Sequence, residues 1–315
     1  MSWQAFPSRA VTSLLLGVAL LAAACSGAQN NAEPLDDGFF TGVDGVASDI
    51  SDTSRIVALS GDLTEFIYEL GSGSSIIATD LTTVYPPEAV TLPKVGVGRF
   101  LSAEAVLGHD PTLVIGDTQT APLAAIEQIR AAGVPVVILD VSTTFEMMYS
   151  KIDDLGTVLA ARDEAKSLAA RLEDEITEAS ASIEAEGDRP SIAYVYTRGP
   201  DVVLLFGTDM VTQPIIEAAG GVDAGAAAGV SGNIPVTPEA LIAAAPDVII
   251  VPSEGLDVLG GVEGFLTLPG VAQTPAGANR YILAYPEGDF LTLGPRIALS
   301  IQALTDDLGS LSLLP

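Results

Sequence analysis

Few side chains in this 315-residue sequence are equipped for chemistry, so each can be weighed singly. There is one His and one Cys. A lone imidazole excludes the multi-histidine sites that hold zinc and leaves no strong general base for a Ser-His-Asp arrangement. His109 stands before an Asp110-Pro111 turn and reads as a surface residue. Tyr196-Thr197-Arg198 offers more. In a strand, residues two apart project to the same side, so the phenol and the guanidinium emerge together. The carboxyl ends of strands are where open α/β sheets place ligands. A neighbouring guanidinium favours ionised tyrosine by charge and hydrogen bonding, and a phenolate ligates ferric iron. The same residues also fit a core tyrosine beside a surface arginine, and chemistry alone leaves both readings open. Gly96-Val97-Gly98 is only half of a dinucleotide-binding GxGxxG, because Leu101 stands where the third glycine belongs. With no nucleophile–base pair or metal cluster, an exported enzyme of Rossmann type is disfavoured.

Cys25 closes the apolar run 11–24, which follows Arg9 and is shorter than the roughly 20 residues of a membrane span. The run matches a secretory leader. Leu21-Ala-Ala-Ala-Cys25 resembles the lipobox of bacterial lipoproteins, in which the thiol takes a diacylglycerol. A single Cys cannot form an internal disulfide, so lipidation is its better use. Residues 1–24 are therefore expected to be a signal peptide, and residues 25–54, rich in Gly, Asp, Asn and Ser, a lipidated flexible acidic tether. The mature protein is expected at the cell membrane, lipid-anchored on its extracytoplasmic face. A net charge of −28 argues against nucleic acid or an anionic lipid surface as partner. Hydrophobic residues make up 48% of the chain, enough for substantial cores.

The elements that must position these residues alternate. Apolar strands are expected at 56–59, 75–79, 94–96, 113–115 and 136–139, interleaved with helices at 63–70, 102–108 and 121–132 and closed by Gly or Pro turns. Ser60 or Asp62 could cap the first helix. From Phe145 to Glu186 the pattern is helical, with Leu168, Leu172, Ile176, Ala179 and Ile183 forming one apolar stripe. Alternation resumes with strands at 192–196, 202–205, 248–251 and 281–283 and ends in a helix from 296 to 308. The expected class is α/β with parallel sheets.

The second half echoes the first. Leu101-Ser-Ala-Glu104 through Pro111 and Ile115 lays on Val236-Thr-Pro-Glu239 through Pro246 and Ile250 at a constant offset of 135. Each copy reads as cap, short helix, proline turn and buried strand. Two similar lobes with a cleft between them follow, and such a cleft is the usual place for a ligand.

Arg55-Ile-Val-Ala-Leu-Ser-Gly-Asp-Leu-Thr-Glu65, Asp80-Leu-Thr-Thr-Val-Tyr-Pro86, Leu92-Pro-Lys-Val-Gly96, Leu259-Gly-Gly-Val262, Leu268-Pro-Gly-Val271 and Leu293-Gly-Pro-Arg296 resemble signatures of haem-binding lipoproteins. These are the substrate-binding components of bacterial haem ABC importers, within the group that also handles cobalamin and ferric siderophores. The resemblance implies the class III periplasmic-binding-protein fold: two doubly wound lobes (55–143 and 167–315), bridged by a long helix within 144–166, clasping the ligand between them. It implies a receptor with no reaction of its own and no catalytic cofactor, with haem as transported ligand and an ABC permease dimer with its ATPase subunits as partner. Tyr196 would be the axial ligand to the haem iron, with Arg198, Arg99 and Tyr85 as further ligand-binding residues. Haem-binding relatives carry Tyr or His where this chain has Val97, which cannot ligate iron, so a five-coordinate Tyr196 site is the reading that survives. Glu104 and Glu239, one per lobe, match carboxylates that dock on the permease, although acids at helix starts also gain a little from the helix dipole. Cobalamin or a ferric siderophore is the alternative cargo; a structural or adhesion lipoprotein would not explain paired lobes with arginines beside a cleft.

Overall fold

The computed structural model describes residues 38–181 and 189–314. Cys25, the leader and the start of the expected tether lie outside the described residues.

Strands β1 (Phe39–Thr41) and β2 (Ala47–Asp49) pair as an antiparallel hairpin, which corrects the expectation of a flexible tether up to residue 54. The hairpin is stitched to the first lobe: Val43 N–H donates to the Ile138 carbonyl (2.9 Å), Ser48 Oγ to the Val136 carbonyl (3.1 Å), and Arg130 meets Asp44 at 2.7 Å. Phe40 and Ile50 are buried in the core. These apolar anchors, with Val43 packed against the core behind the first sheet, and the polar links together fix it.

Strands β3 (Ile56–Ala58), β4 (Ile76–Thr79), β5 (Leu113–Asp117) and β6 (Val136–Leu139) form the first lobe's sheet, ordered β4-β3-β5-β6 and wholly parallel. The strand expected at 94–96 is reduced to one bridge between Lys94 and Thr79. The second sheet comprises β7 (Ser191–Thr197), β8 (Val203–Phe206), β9 (Val222–Asp223), β10 (Asn233–Pro235), β11 (Val248–Pro252) and β12 (Ile282–Tyr285). Its order is β10-β8-β7-β11-β12, with β9 also beside β7. β7, β9, β11 and β12 run parallel, whereas β8 and β10 add an antiparallel edge absent from the sequence expectation.

Strand alternation distributes the core into layers. Ile192 and Tyr194 of β7, Val248 and Ile250 of β11, and Leu113 and Ile115 of β5 face one continuous apolar core shared by both lobes. Ala193, Val195, Ile249 and Val251 face a separate core behind the second sheet, and Val57 and Val114 one behind the first. The shared core runs through two helices, Phe145–Val158 and Arg162–Ser180. The bridging helix expected within 144–166 is Phe145–Val158, and the second helix packs against it after a sharp turn at which Ala160 has φ 54°. Gly156 lies inside the first helix. A Cβ there would lie 2.4 Å from the Ala165 Cβ, so glycine permits the two helices to touch.

The sequence echo is structural. The 135-residue offset carries β5 onto β11, the N-cap Ser102 onto Thr237, each with its hydroxyl accepting from a backbone N–H three residues on, and Asp110 (φ 49°) onto Ala245 (φ 43°) before the prolines.

Candidate ligand cleft

The loops at the carboxyl ends of both parallel sheets enclose a cleft of about 740 Å³, within the usual range for small-molecule sites. The first lobe contributes Asp62, Glu65, Asp80, Tyr85, Val97, Arg99 and Asp117; the second contributes Arg198, Glu254, Glu287, Asp289 and Arg296. Seven carboxylates therefore face three arginines.

Tyr196 ends the series Ile192, Tyr194, Tyr196 along one face of β7. Tyr194 is sealed at 1% exposure and its hydroxyl has no partner; burial first, and then the Glu287 charge, makes that proton harder to remove. Tyr196 is half-buried, stacked on Phe206 at 6.0 Å, and its hydroxyl accepts from Arg198 Nε at 2.5 Å. Tyr196 is not among the residues that line the cleft; Arg198, which donates to it, is. Arg198 Nη2 donates to both carboxylate oxygens of Glu287, at 2.5 and 2.7 Å.

Arg296, from the C-terminal lobe, reaches across. Its Nε and Nη2 donate to the two Glu65 oxygens at 2.9 and 3.0 Å, and its guanidinium lies 4.7 Å from the centre of the Tyr85 ring. Tyr85 thus lines the cleft with one face held by the opposite lobe. Burial raises the Glu65 pKa, and the bonds from Arg296 oppose the rise only in part. Asp80 is pushed up to about 6 by burial, against hydrogen bonds from Thr82 and Gly98. Asp117 and Asp289 are also raised, chiefly by burial. Asp62 behaves oppositely: burial penalises its charge, yet the Lys151 ammonium at 2.8 Å outweighs that and holds it low.

Arg99 lines the cleft and, unlike Arg198 and Arg296, is exposed without an ion pair or hydrogen bond to the described residues. It follows Gly98, whose ideal Cβ would lie 2.6 Å from the Leu59 carbonyl; that close approach accounts for the glycine without a phosphate loop. Val97 presents only aliphatic surface. Glu104 and Glu239 are exposed on the matched short helices Ala103–Leu107 and Pro238–Ala244 and do not line the cleft. His109 is half-buried and gives its carbonyl to Arg55. Sequence reasoning missed the Arg296–Glu65, Arg198–Glu287 and Asp62–Lys151 pairs, although Glu65, Asp62 and Arg296 stand inside the motifs it singled out. Among the described residues no group of three or more His, Cys, Asp or Glu could hold a metal ion, and no helix is long and apolar enough to cross a membrane.

Twin α/β lobes closing on a cleft lined by ion-paired and hydrogen-bonding side chains are the architecture of a binding protein. The model for the periplasmic binding protein family matches residues 56–288, and the chain belongs to that family, the substrate-binding proteins of ABC importers. Among solved structures it is similar to the periplasmic heme-binding protein RhuT from Roseiflexus sp. RS-1 (39% identity, TM-score 0.79, 82% of this chain and 99% of that one). It is also similar to heme binding protein HmuT (33% identity, TM-score 0.80, 90% and 93%). Two further HmuT structures carry Tyr→Ala and Arg→Ala replacements two positions apart. Among curated proteins, an ABC transporter substrate-binding lipoprotein, YvrC, of Bacillus subtilis (strain 168) is 28% identical over 62% of this chain, and the match spans 62% of its own length. A vitamin B12-binding protein of Pectobacterium carotovorum is 29% identical over 39% of this chain and 44% of its own length.

Proposed function

We propose that this protein captures ferric haem in the cleft and delivers it to an ABC import permease. The observation that carries the reading is the Tyr196–Arg198 pair: a phenol oxygen at the carboxyl end of a central strand, accepting from a guanidinium that lines a cleft of porphyrin-accommodating size. Donation from Arg198 favours the phenolate that ferric iron accepts. The haem-binding names of RhuT and HmuT support the cargo, and the HmuT replacements two positions apart match the spacing of Tyr196 and Arg198. With Val97 opposite, iron takes Tyr196 as its one protein ligand. Arg99, the unpaired cation, meets a propionate, and Tyr85 offers a ring face. Glu104 and Glu239 dock on the two permease subunits, and a diacylglycerol on Cys25 holds the receptor at the outer face of the membrane.

A second reading has one observation in its favour. The acceptor-rich wall of seven carboxylates suits a cargo edged with amide donors, as cobalamin is, and vitamin B12-binding proteins are among the relatives. Titration with haemin, cyanocobalamin and a ferric chelate, read by visible absorption, separates the cargoes. The expected outcome is a saturable haemin complex with a high-spin ferric tyrosinate spectrum that Tyr196→Phe abolishes. Stronger binding of cyanocobalamin would overturn the cargo, and an unchanged haemin spectrum in Tyr196→Phe would overturn the axial ligand.

A further inference from the structure

We infer that Glu287 is the positioning residue of the Tyr196–Arg198 pair, its carboxylate aiming the Arg198 guanidinium at the phenol oxygen. The inference rests on the reading of Tyr196 as axial ligand. A guanidinium is a rigid plane with five N–H donors. Arg198 is gripped at two points of that plane: Nε donates to Tyr196 and Nη2 to both Glu287 oxygens. Two such anchors fix the orientation of a planar group that one would leave free to pivot. Its side chain is 53% exposed, so little else restrains it.

Glu287 is itself held. It opens the short helix Glu287–Phe290, and its backbone N–H donates to the Glu254 carboxylate, 3.1 Å to Oε2. Phe290, at 1% exposure, pins that helix by stacking on Tyr285 at 4.8 Å and Tyr194 at 6.2 Å. Arg198, Glu254 and Glu287 thus follow β7, β11 and β12, adjacent in the sheet, so the orientation of one guanidinium is set by three strand ends. Glu287 also offsets the Arg198 charge, which directs an anionic edge of the cargo toward the unpaired Arg99. Exposed ion pairs contribute little to folding, but a flat cargo covering the cleft strips this one of water and makes its geometry matter.

Haemin complexes of Glu287→Ala, Glu287→Gln, Arg198→Ala, Tyr196→Phe and the Glu287→Ala, Arg198→Ala double variant test this. Haemin dissociation should accelerate about tenfold in Glu287→Ala, and the pH at which the tyrosinate band disappears on acidification should rise. Glu287→Gln, which keeps an acceptor, should lie between, with melting temperatures unchanged. In the Arg198→Ala background the Glu287 replacement should change dissociation by less than about twofold, because the two act as one unit. A tenfold effect that persists without Arg198, or no effect in its presence, overturns the inference. If Tyr196→Phe retains the tyrosinate band, the axial reading fails and takes the inference with it; if that band is lost while Glu287→Ala behaves as wild type, the positioning role alone fails.

Discussion

Arg296→Ala should destabilise the protein at neutral pH and much less in acid. The arginine makes a two-point bond across the lobes to Glu65, whose side chain is 10% exposed, and covers the Tyr85 ring. Charge-assisted bonds contribute about 1.5–3 kcal/mol, and a partly exposed cation–π contact about 0.5–1 kcal/mol. With one partner at 33% exposure, screening lowers the sum, and about 2 kcal/mol is expected. For a chain of this size that is a fall in melting temperature of about 3–4 °C. The pH dependence follows from Glu65. Burial, reinforced by the charges of Asp62 and Asp289, raises its folded pKa above the ordinary 4.5, and only Arg296 opposes this. Without Arg296 the folded value climbs further, so the folded variant loses stability as pH rises through it. Below 4.5 Glu65 is protonated in folded and unfolded chains alike, and the electrostatic part of the deficit closes. Scanning calorimetry of both proteins at pH 7.5 and near pH 4 measures the difference. A deficit equal at the two pH values would refute the reasoning, as would a Glu65→Gln, Arg296→Ala double variant no more stable at neutral pH than Arg296→Ala.

Lys151→Met should cost about 3–5 kcal/mol in urea unfolding at pH 7, because Asp62 is left buried without a counter-charge, holding only the Ser60 hydroxyl and the Leu63 N–H; Asp62→Asn added to it should recover much of the loss. Asp80→Asn should stabilise by about 1–3 kcal/mol at pH 8. A folded pKa of about 6 against 3.8 means that stability falls as pH rises between those values, so the gain should fade on acidification below pH 5, as urea midpoints at both pH values will tell. Replacing Glu104 and Glu239 together by Ala should leave haemin affinity within about twofold while abolishing haem-dependent growth; normal growth would rule out docking. Cys25→Ser should move the protein from the membrane fraction to the soluble one, and retention on membranes would rule out the lipid anchor.

What the sequence discloses is what local pattern and internal repetition encode. Alternation along 113–115, 192–196 and 248–251 is the pleat itself, and the 135-residue echo carries the caps and the positive-φ turn along with it. The hairpin at Phe39–Asp49 was illegible because polar composition outweighed two anchoring side chains. β8 is legible at 202–205, but its partner β10 and the antiparallel direction of that edge are not, because pairing direction is set by distant partners and not by a strand's own residues. The cross-cleft pair Arg296–Glu65 joins residues more than 200 positions apart, where no periodicity reaches.

The repetition also shows how the lobes came to differ where they meet the cargo. Ile56 pairs with Leu113 as Ile192 pairs with Val248, which makes Ser60 and Asp62 the counterparts of Tyr196 and Arg198. Each pair closes the same way, with one side chain bonded to the other two residues off: Ser60 Oγ donates to Asp62 Oδ1 at 2.6 Å, and Arg198 Nε donates to Tyr196 at 2.5 Å. The positions that correspond by number therefore carry an ion-paired acid in the first lobe, Asp62 with Lys151, and an ion-paired base in the second, Arg198 with Glu287. In the proposed haem complex the iron would lie against the phenol of the second lobe, and Arg99, unpaired among the described residues, would receive the anionic edge from the first.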